Sequence, residues 1–460
     1  MPAIITNKFR VHNAEQFKES FGEAADTYYL GIGRPQAFAD NQTFNDGTDT
    51  NPPTPNDDIG SEYYAYDDML SAKKVSDVSI VIPRRNWTTG TVYDYYRHDY
   101  GNINSAGSTI TSNSGASNLF DSTFYVLTST YDVYKCIDNN SGAASTVEPS
   151  GNKNNSTFST ADNYVWKYMY SLTADERQKY LSTDFMHVST ESTDYSTTAG
   201  ALELVKITDG GSSGSDGTYT GVTIRGDGSS GTATVVVSSG AITSVTITAA
   251  GSGYTYASIL ASDIGNVSGA DIDFIISPEG GHASDCVKEL GGFFVMINVN
   301  FTQDDGSGDF NTANDFRRIA LIRNPVDSGT GSTATADTLD ATKSITFSST
   351  SGDFLPDEKI TQSTSGAIGY VVDWNSTTKV LRYIQPQFAD QGVDANGDLT
   401  AFTGSDTVTG ANSSVTGTPS SHDITPELTH DSGDILYIEN RKPITRAADQ
   451  TENVKLIVEF

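Results

Sequence analysis

The chain is short of cysteine, of positive charge and of long apolar runs. Only Cys136 and Cys286 occur in 460 residues, too few for a disulfide framework or a cysteine zinc site, so both are expected as reduced thiols. Against 58 Asp and Glu stand 28 Lys and Arg, a formal charge of −30. Such a field repels phosphate backbones and anionic lipid, which argues against nucleic-acid and membrane partners. No window approaches the roughly 20 apolar residues of a membrane span, and MPAIITNKFRVHNAEQF contains no apolar stretch of signal-peptide length. A soluble protein made in a cytoplasm is therefore expected. Leu-rich helical patterns are scarce as well. What is plentiful is Gly (42), Tyr (23) and Phe (20), together with Ser, Thr and Asn, while charged residues make up 19%. That composition favours a mostly-β chain, long enough for two or three domains.

Along the chain, a helix is expected over 13–25, with Asn13 as its cap and Phe17 and Phe21 on one face. Residues 40–60, rich in Asp, Asn, Thr and Pro, read as a surface loop. A second helix is expected over 63–74, and a short strand over 78–82 that Pro83 ends. One or two strands fit FYVLTSTYDVYKCID (124–138), another fits NYVWKYMYSL (163–172), and Thr173 can cap a short helix over 174–181. From 205 to about 280 the chain turns to Gly, Ser, Thr and Val. VKITDGGSSGSDGTY (205–219) is echoed by VTITAAGSGYTY (245–256), with a hairpin, ATVVV-SSG-AITSVTIT, between them. Strands resume at GGFFVMINVNF (291–301) and DFRRIALIRNPV (315–326). A second β-rich segment carries its own weak repeat, FLPDEKITQSTSGAIGYV (354–371) against FTGSDTVTGANSSVTGTP (402–419), and two strands, 434–439 and 453–460, close the sequence. The expected division is a core over 1–204, 285–327 and 426–460, interrupted by inserted β domains at 205–284 and 328–425.

No motif assembles an active site. GGSSG (210–214) satisfies the G-x-S-x-G nucleophile pattern, but no helix follows to present the serine, so it reads as a turn. DANGDL (394–399) begins like a calcium loop, yet Leu399 replaces the required Gly and Ser405 stands in place of the bidentate Glu. GIGRPQ (31–36) lacks the third glycine of a dinucleotide fingerprint. The six histidines, three of them followed by Asp (His98, His422 and His430), lie in polar stretches and read as surface residues rather than metal ligands. No cofactor, metal or catalytic residue is expected. Asp67, Asp68 and Asp94 are the carboxylates nearest the aromatic residues, and a pair of them would be needed if this were a carbohydrate-cleaving rather than merely a carbohydrate-binding protein.

The remaining signals are Tyr63, Tyr64, Tyr66 and Tyr93, and above all Arg84, Arg85, Trp87, Tyr95, Tyr96, Arg97 and Arg441. Tyr, Trp and Arg combine large area with hydrogen-bonding capacity and are enriched at interface anchors. The alternative is that they are core aromatics with arginines paired to the chain's own carboxylates.

AIITNKFR (3–10), VIPRRNW (81–87), VYKCID (133–138), YVWKYMY (164–170), FRRIALIRNPV (316–326) and GDILYIENRKPITRAADQT (433–451) resemble, in order, stretches of the gene-product-eight baseplate wedge proteins of T-even-type contractile-tail phages. The resemblance spans roughly 1–200, 285–327 and 426–460. It implies antiparallel Greek-key β-sandwich domains with a few short helices, a homodimer without enzymatic activity, other wedge subunits as partners, and a place in the virion tail baseplate after assembly in the host bacterial cytoplasm. In that setting Arg84 and Arg85 are expected to bridge acidic neighbours.

Overall fold

The computed structural model describes residues 4–38, 48–104, 107–190, 195–301, 314–386, 392–394, 396–445 and 451–460. The fold is mostly β, with several antiparallel sheets, one closed barrel and a few short helices. Residues 40–47 of the expected surface loop lie outside the described residues.

The first helix is Asn7–Ser20, not 13–25. Thr6 starts it: its Oγ1 accepts from the Phe9 amide at 3.3 Å and its carbonyl from the Arg10 amide at 3.1 Å, satisfying donors that a helix start leaves open. Phe17 does sit on the helix, against the Phe460 ring at 5.3 Å, whereas Phe21 lies past its end and stacks on Tyr28 at 4.0 Å. The second helix is also displaced. It runs over Ile59–Asp67, with the Asp58 carboxylate accepting from the Ser61 amide at 2.8 Å. The rest of the expected 63–74 helix is the strand Met69–Lys74, paired on one side with Tyr28–Gly33 and on the other with Thr338–Asp340. Two sheet neighbours outweigh a weak local helix preference there. The helix Ala174–Tyr180 forms as expected, with Thr173 and Glu176 making a capping box.

The chain divides into two compact units. One comprises 1–17, 79–296 and 457–460, and the other comprises 18–78 and 297–456. In the first, Tyr125–Leu127, Asp132–Asp138, Val165–Ser171 and Thr157–Ser159 form an antiparallel sheet in that order. Its aromatic side chains fill two clusters, one around Phe124, Tyr125, Met169 and Tyr170 and one around Tyr134, Tyr164 and Trp166. Cys136 and Cys286 are buried there and unpaired. The Gly/Ser-rich hairpin is present as Ser229–Ser238 and Ala241–Ser252. Its two-residue turn, Ser239–Gly240, has positive φ at both positions (55° and 79°), which matches the twist of the flanking strands. The two echoing segments do not occupy equivalent places. Leu202–Asp209 pairs with Asp271–Ile276, whereas Ala241–Ser252 pairs with Ser229–Ser238.

In the second unit, five strands lie in the order Thr338–Asp340, Met69–Lys74, Tyr28–Gly33, Phe316–Arg323, Asp434–Ile444, so the last is a sheet edge. Six further strands close into an antiparallel barrel in the order Lys343–Thr350, Val380–Ile384, Ile368–Asn375, Lys359–Gln362, Val408–Gly410, Thr416–Asp423. A closed barrel was not anticipated, and it leaves these strands no free edge. The weak repeat of this segment is real in the structure. Lys359–Gln362 with Ile368–Asn375 and Val408–Gly410 with Thr416–Asp423 are two hairpins joined through their first strands. Phe354 and Phe402, Ile360 and Val408, and Ala367 and Val415 occupy matching positions in one core. Gly369 and Gly417 match as well, because a Cβ would come within 2.8 Å of the Tyr383 ring at the first and 2.6 Å of the Phe347 ring at the second.

Candidate assembly interface

The VIPRRNW block forms a corner. Val81, Ile82 and Pro83 pair with His187, Met186 and Phe185. Pro83 has no amide hydrogen to donate; the Arg84 amide still donates to the Asp184 carbonyl at 2.7 Å, and the chain then moves to the 125–127 strand. The Leu127 amide donates to the Arg85 carbonyl at 2.7 Å, and the Trp87 amide donates to the Leu127 carbonyl at 2.9 Å. Both arginines are half-buried and hold this corner. Arg84 donates to the Ser182 carbonyl at 2.7 Å and to Asn86 Oδ1 at 2.9 Å. Arg85 donates to the carbonyls of Ser122 and Phe120, the latter at 3.0 Å, and lies 5.1 Å over the Tyr125 ring. Those carbonyls belong to the short 3-10 helix Leu119–Asp121 and its cap, where a cation meets the negative end of the peptide dipoles. Within the chain, among the described residues, both arginines bind backbone carbonyls, and Arg84 also the Asn86 side chain, rather than the chain's own carboxylates. Trp87 is half-buried too, with Nε1 donating to Ser145 Oγ at 3.1 Å.

An interface anchor has to be accessible in the free chain, and Tyr96 and Arg97 are not. Arg97 is buried and bonded to Asp99 and Asp273, each at 2.6 Å. Tyr96 is buried with its ring edge-on to His282 and 4.8 Å from Lys135 Nζ. Tyr95 is half-buried beneath Lys206 Nζ, 4.8 Å from its ring. Of the seven candidates Arg441 alone is exposed, with Glu439 at 3.7 Å. It stands on the edge strand Asp434–Ile444, which also exposes Leu436 (45%) and Tyr437 (38%). Strict alternation would have pointed one of these two neighbours inward; a register shift opposite them, between Leu321 and Ile322, lets both face solvent.

A second feature was missed in the sequence: a buried ionic cluster in the first unit. Lys135 and Lys167 are fully buried on the 132–138 and 165–171 strands. Lys135 bonds to Glu289, whose carboxylate also accepts from the amides of Ala283, Ser284 and Asp285 at 2.9–3.1 Å. Lys167 donates to the carbonyls of Tyr168 at 2.8 Å and Asn154 at 3.0 Å. Burial, with Lys135 nearby, pulls Lys167 down to about 8, and burial pushes Glu203 up to about 7. His282 is fully buried, which corrects the surface reading for this histidine, and burial holds it well below its ordinary value. The available signal was a lysine inside each aromatic strand, VYKCID and YVWKYMY, where an unpaired charge would be costly.

The catalytic patterns are occupied by structure. Ser212 of GGSSG forms an isolated antiparallel β-bridge with Ser268. The Asp394 carboxylate caps its own hairpin, accepting from the amides of Asn396 at 2.7 Å and Asp398 at 3.0 Å. Asp67 is bonded to His430 at 2.8 Å and Asp68 to Arg318 at 3.0 Å. Asp94 accepts from Ser114 and Thr123, so none of the three is a free acid or base beside the aromatics. Among the described residues no group of three or more His, Cys, Asp or Glu is placed to hold a metal ion.

These observations describe a mostly-β protein whose polar side chains largely serve its own architecture and whose exposed apolar residues include a pair on a sheet edge. Residues 3–148 match the Phage-Gp8 family, described as Bacteriophage T4, Gp8. The match takes in the first helix and the VIPRRNW corner and covers less than half of the chain; the resembling blocks after 148 lie beyond it. No curated protein matches this sequence.

Proposed function

We propose that the chain is a structural subunit of a contractile phage tail baseplate wedge, acting by protein–protein assembly, as a homodimer that binds other wedge subunits. It is assembled in the host bacterial cytoplasm and resides in the virion tail. The observation that carries this reading is the family match over 3–148, which includes the corner where Arg84 and Arg85 lock two sheets together. A Greek-key sandwich core belongs to the same reading, and so do inserted modules at 205–284 and 328–425.

Assembly requires a surface that folding leaves open. The edge strand Asp434–Ile444 supplies one, with an outer side that no described strand pairs, Leu436 and Tyr437 for apolar contact and Arg441 for an acidic partner. Leu436→Glu with Tyr437→Glu is expected to leave thermal unfolding unchanged while abolishing capture of wedge partners in copurification. A variant that still assembles removes the strand from the interface.

A further inference from the structure

His282 lies between two carboxylates. Its Nε2 is 3.5 Å from Glu203 Oε2 and its Nδ1 is 3.9 Å from Glu289 Oε2, yet neither nitrogen makes a hydrogen bond. A neutral imidazole has one N–H and one lone pair. If both glutamates were ionised, that lone pair would face a carboxylate oxygen in a site closed to water, where repulsion is strong. One further proton resolves the conflict. Placed on Glu203, it is donated to Nε2 while Nδ1–H points at Glu289; placed on the ring, it gives each carboxylate a donor.

We propose that Glu203 and His282 share one proton in the folded protein through the weakly acidic range, and that this proton seats the strand Leu202–Asp209, which leads into the Gly/Ser-rich segment, against the buried lysines. The groups facing the pair come from every element packed on it. They are Lys135 and Lys167 from the two core strands, Glu289 from the helix Cys286–Leu290, whose Cys286 thiol lies near that carboxylate and the lysines, the Tyr96 ring, and the Thr197 hydroxyl, which bonds Glu203 and accepts from the His282 amide at 2.8 Å. Lys135 and Glu289 neutralise each other. Burial raises Glu203 to about 7 against the pull of the two lysines, and burial, reinforced by those lysines, depresses His282, so the proton rests mainly on Glu203.

The sign of the linkage follows. Between about pH 4.5 and 6.5 the unfolded chain carries one proton on the histidine and none on the glutamate, while the folded chain carries one on Glu203, so the pair adds no pH dependence. Removing either member exposes the other. In Glu203→Gln the depressed histidine remains alone, and stability is lost as pH falls below about 6.5. In His282→Gln the raised glutamate remains alone, and stability is lost as pH rises from about 4.5 towards its folded value. Relative to the wild type, the two unfolding equilibria should tilt in opposite directions, each by about tenfold per pH unit at full linkage.

Denaturant titrations of the full chain and both variants from pH 5.0 to 6.5 read these slopes. Opposite tilts support the shared proton; a variant parallel to the wild type, or two tilts of one sign, overturns it. Should a variant fail to fold, NMR of the wild type at pH 6 with 13C-carboxyl glutamate and 15N-imidazole histidine decides the matter. A protonated Glu203 or a doubly protonated His282 is expected, and an ionised Glu203 beside a neutral His282 contradicts the proposal.

Discussion

Two basic pairs look alike in the sequence and are used in opposite ways. Arg84–Arg85 follows a strand that Pro83 ends, beside turns whose carbonyls point inward, and both guanidiniums are drawn onto those oxygens. Arg441–Lys442 lies within a strand that, among the described residues, is paired on one side only, and both residues are exposed. The chain's net charge predicts carboxylate partners for all of them. Arg441 has one, Glu439 at 3.7 Å, whereas backbone carbonyls take that place at Arg84–Arg85: a cation beside unsatisfied carbonyls becomes part of the fold, and one on the edge strand stays exposed.

Lys135 is the extreme of internal use, and its loss should show the contrast most strongly. Lys135→Met leaves Glu289 buried without its counter-charge and is expected to cost about 3–5 kcal/mol of stability in calorimetric or denaturant unfolding. A loss under 1 kcal/mol would mean that the amides of 283–285 suffice for that carboxylate. Arg85→Ala should cost about 1–3 kcal/mol, because the carbonyls of Phe120 and Ser122 lose a charged donor. Equal melting temperatures for Arg85→Ala and the wild type would erase the difference between the two pairs. Arg441→Ala should stay within about 0.5 kcal/mol of the wild type and weaken wedge capture, which separates an assembly residue from a folding one.

Much of the strand pattern was legible, because alternation, turn residues and Pro83 act locally: 125–127, 132–138, 165–171, 294–301 and 316–323 fall where the sequence puts them. The helix starts were not. Thr6 and Asn13 are both competent caps, and the choice is made by contacts such as Phe17 on Phe460, 443 positions away in the chain. Met69–Lys74 has the composition of a helix end and becomes a strand because neighbours from distant segments pair with it on both sides. The repeat over 354–371 and 402–419 was visible, but its closure into a barrel depends on pairing between the two copies, which composition does not encode. The echo at 205 and 245 falls on two strands with different partners, so similar residues there do not mark equivalent places. The candidate interface was read from residue type, which does not separate a buried Arg97 from an exposed Arg441.

The central claim is that this chain is a built-in part of a baseplate. Quantitative mass spectrometry of purified virions and of isolated baseplates tests it directly. The chain should be present in both, in a fixed ratio to the other wedge proteins, and should remain with the baseplate when the tail tube and sheath are stripped away. A chain found free in the host lysate and absent from purified virions would contradict the account.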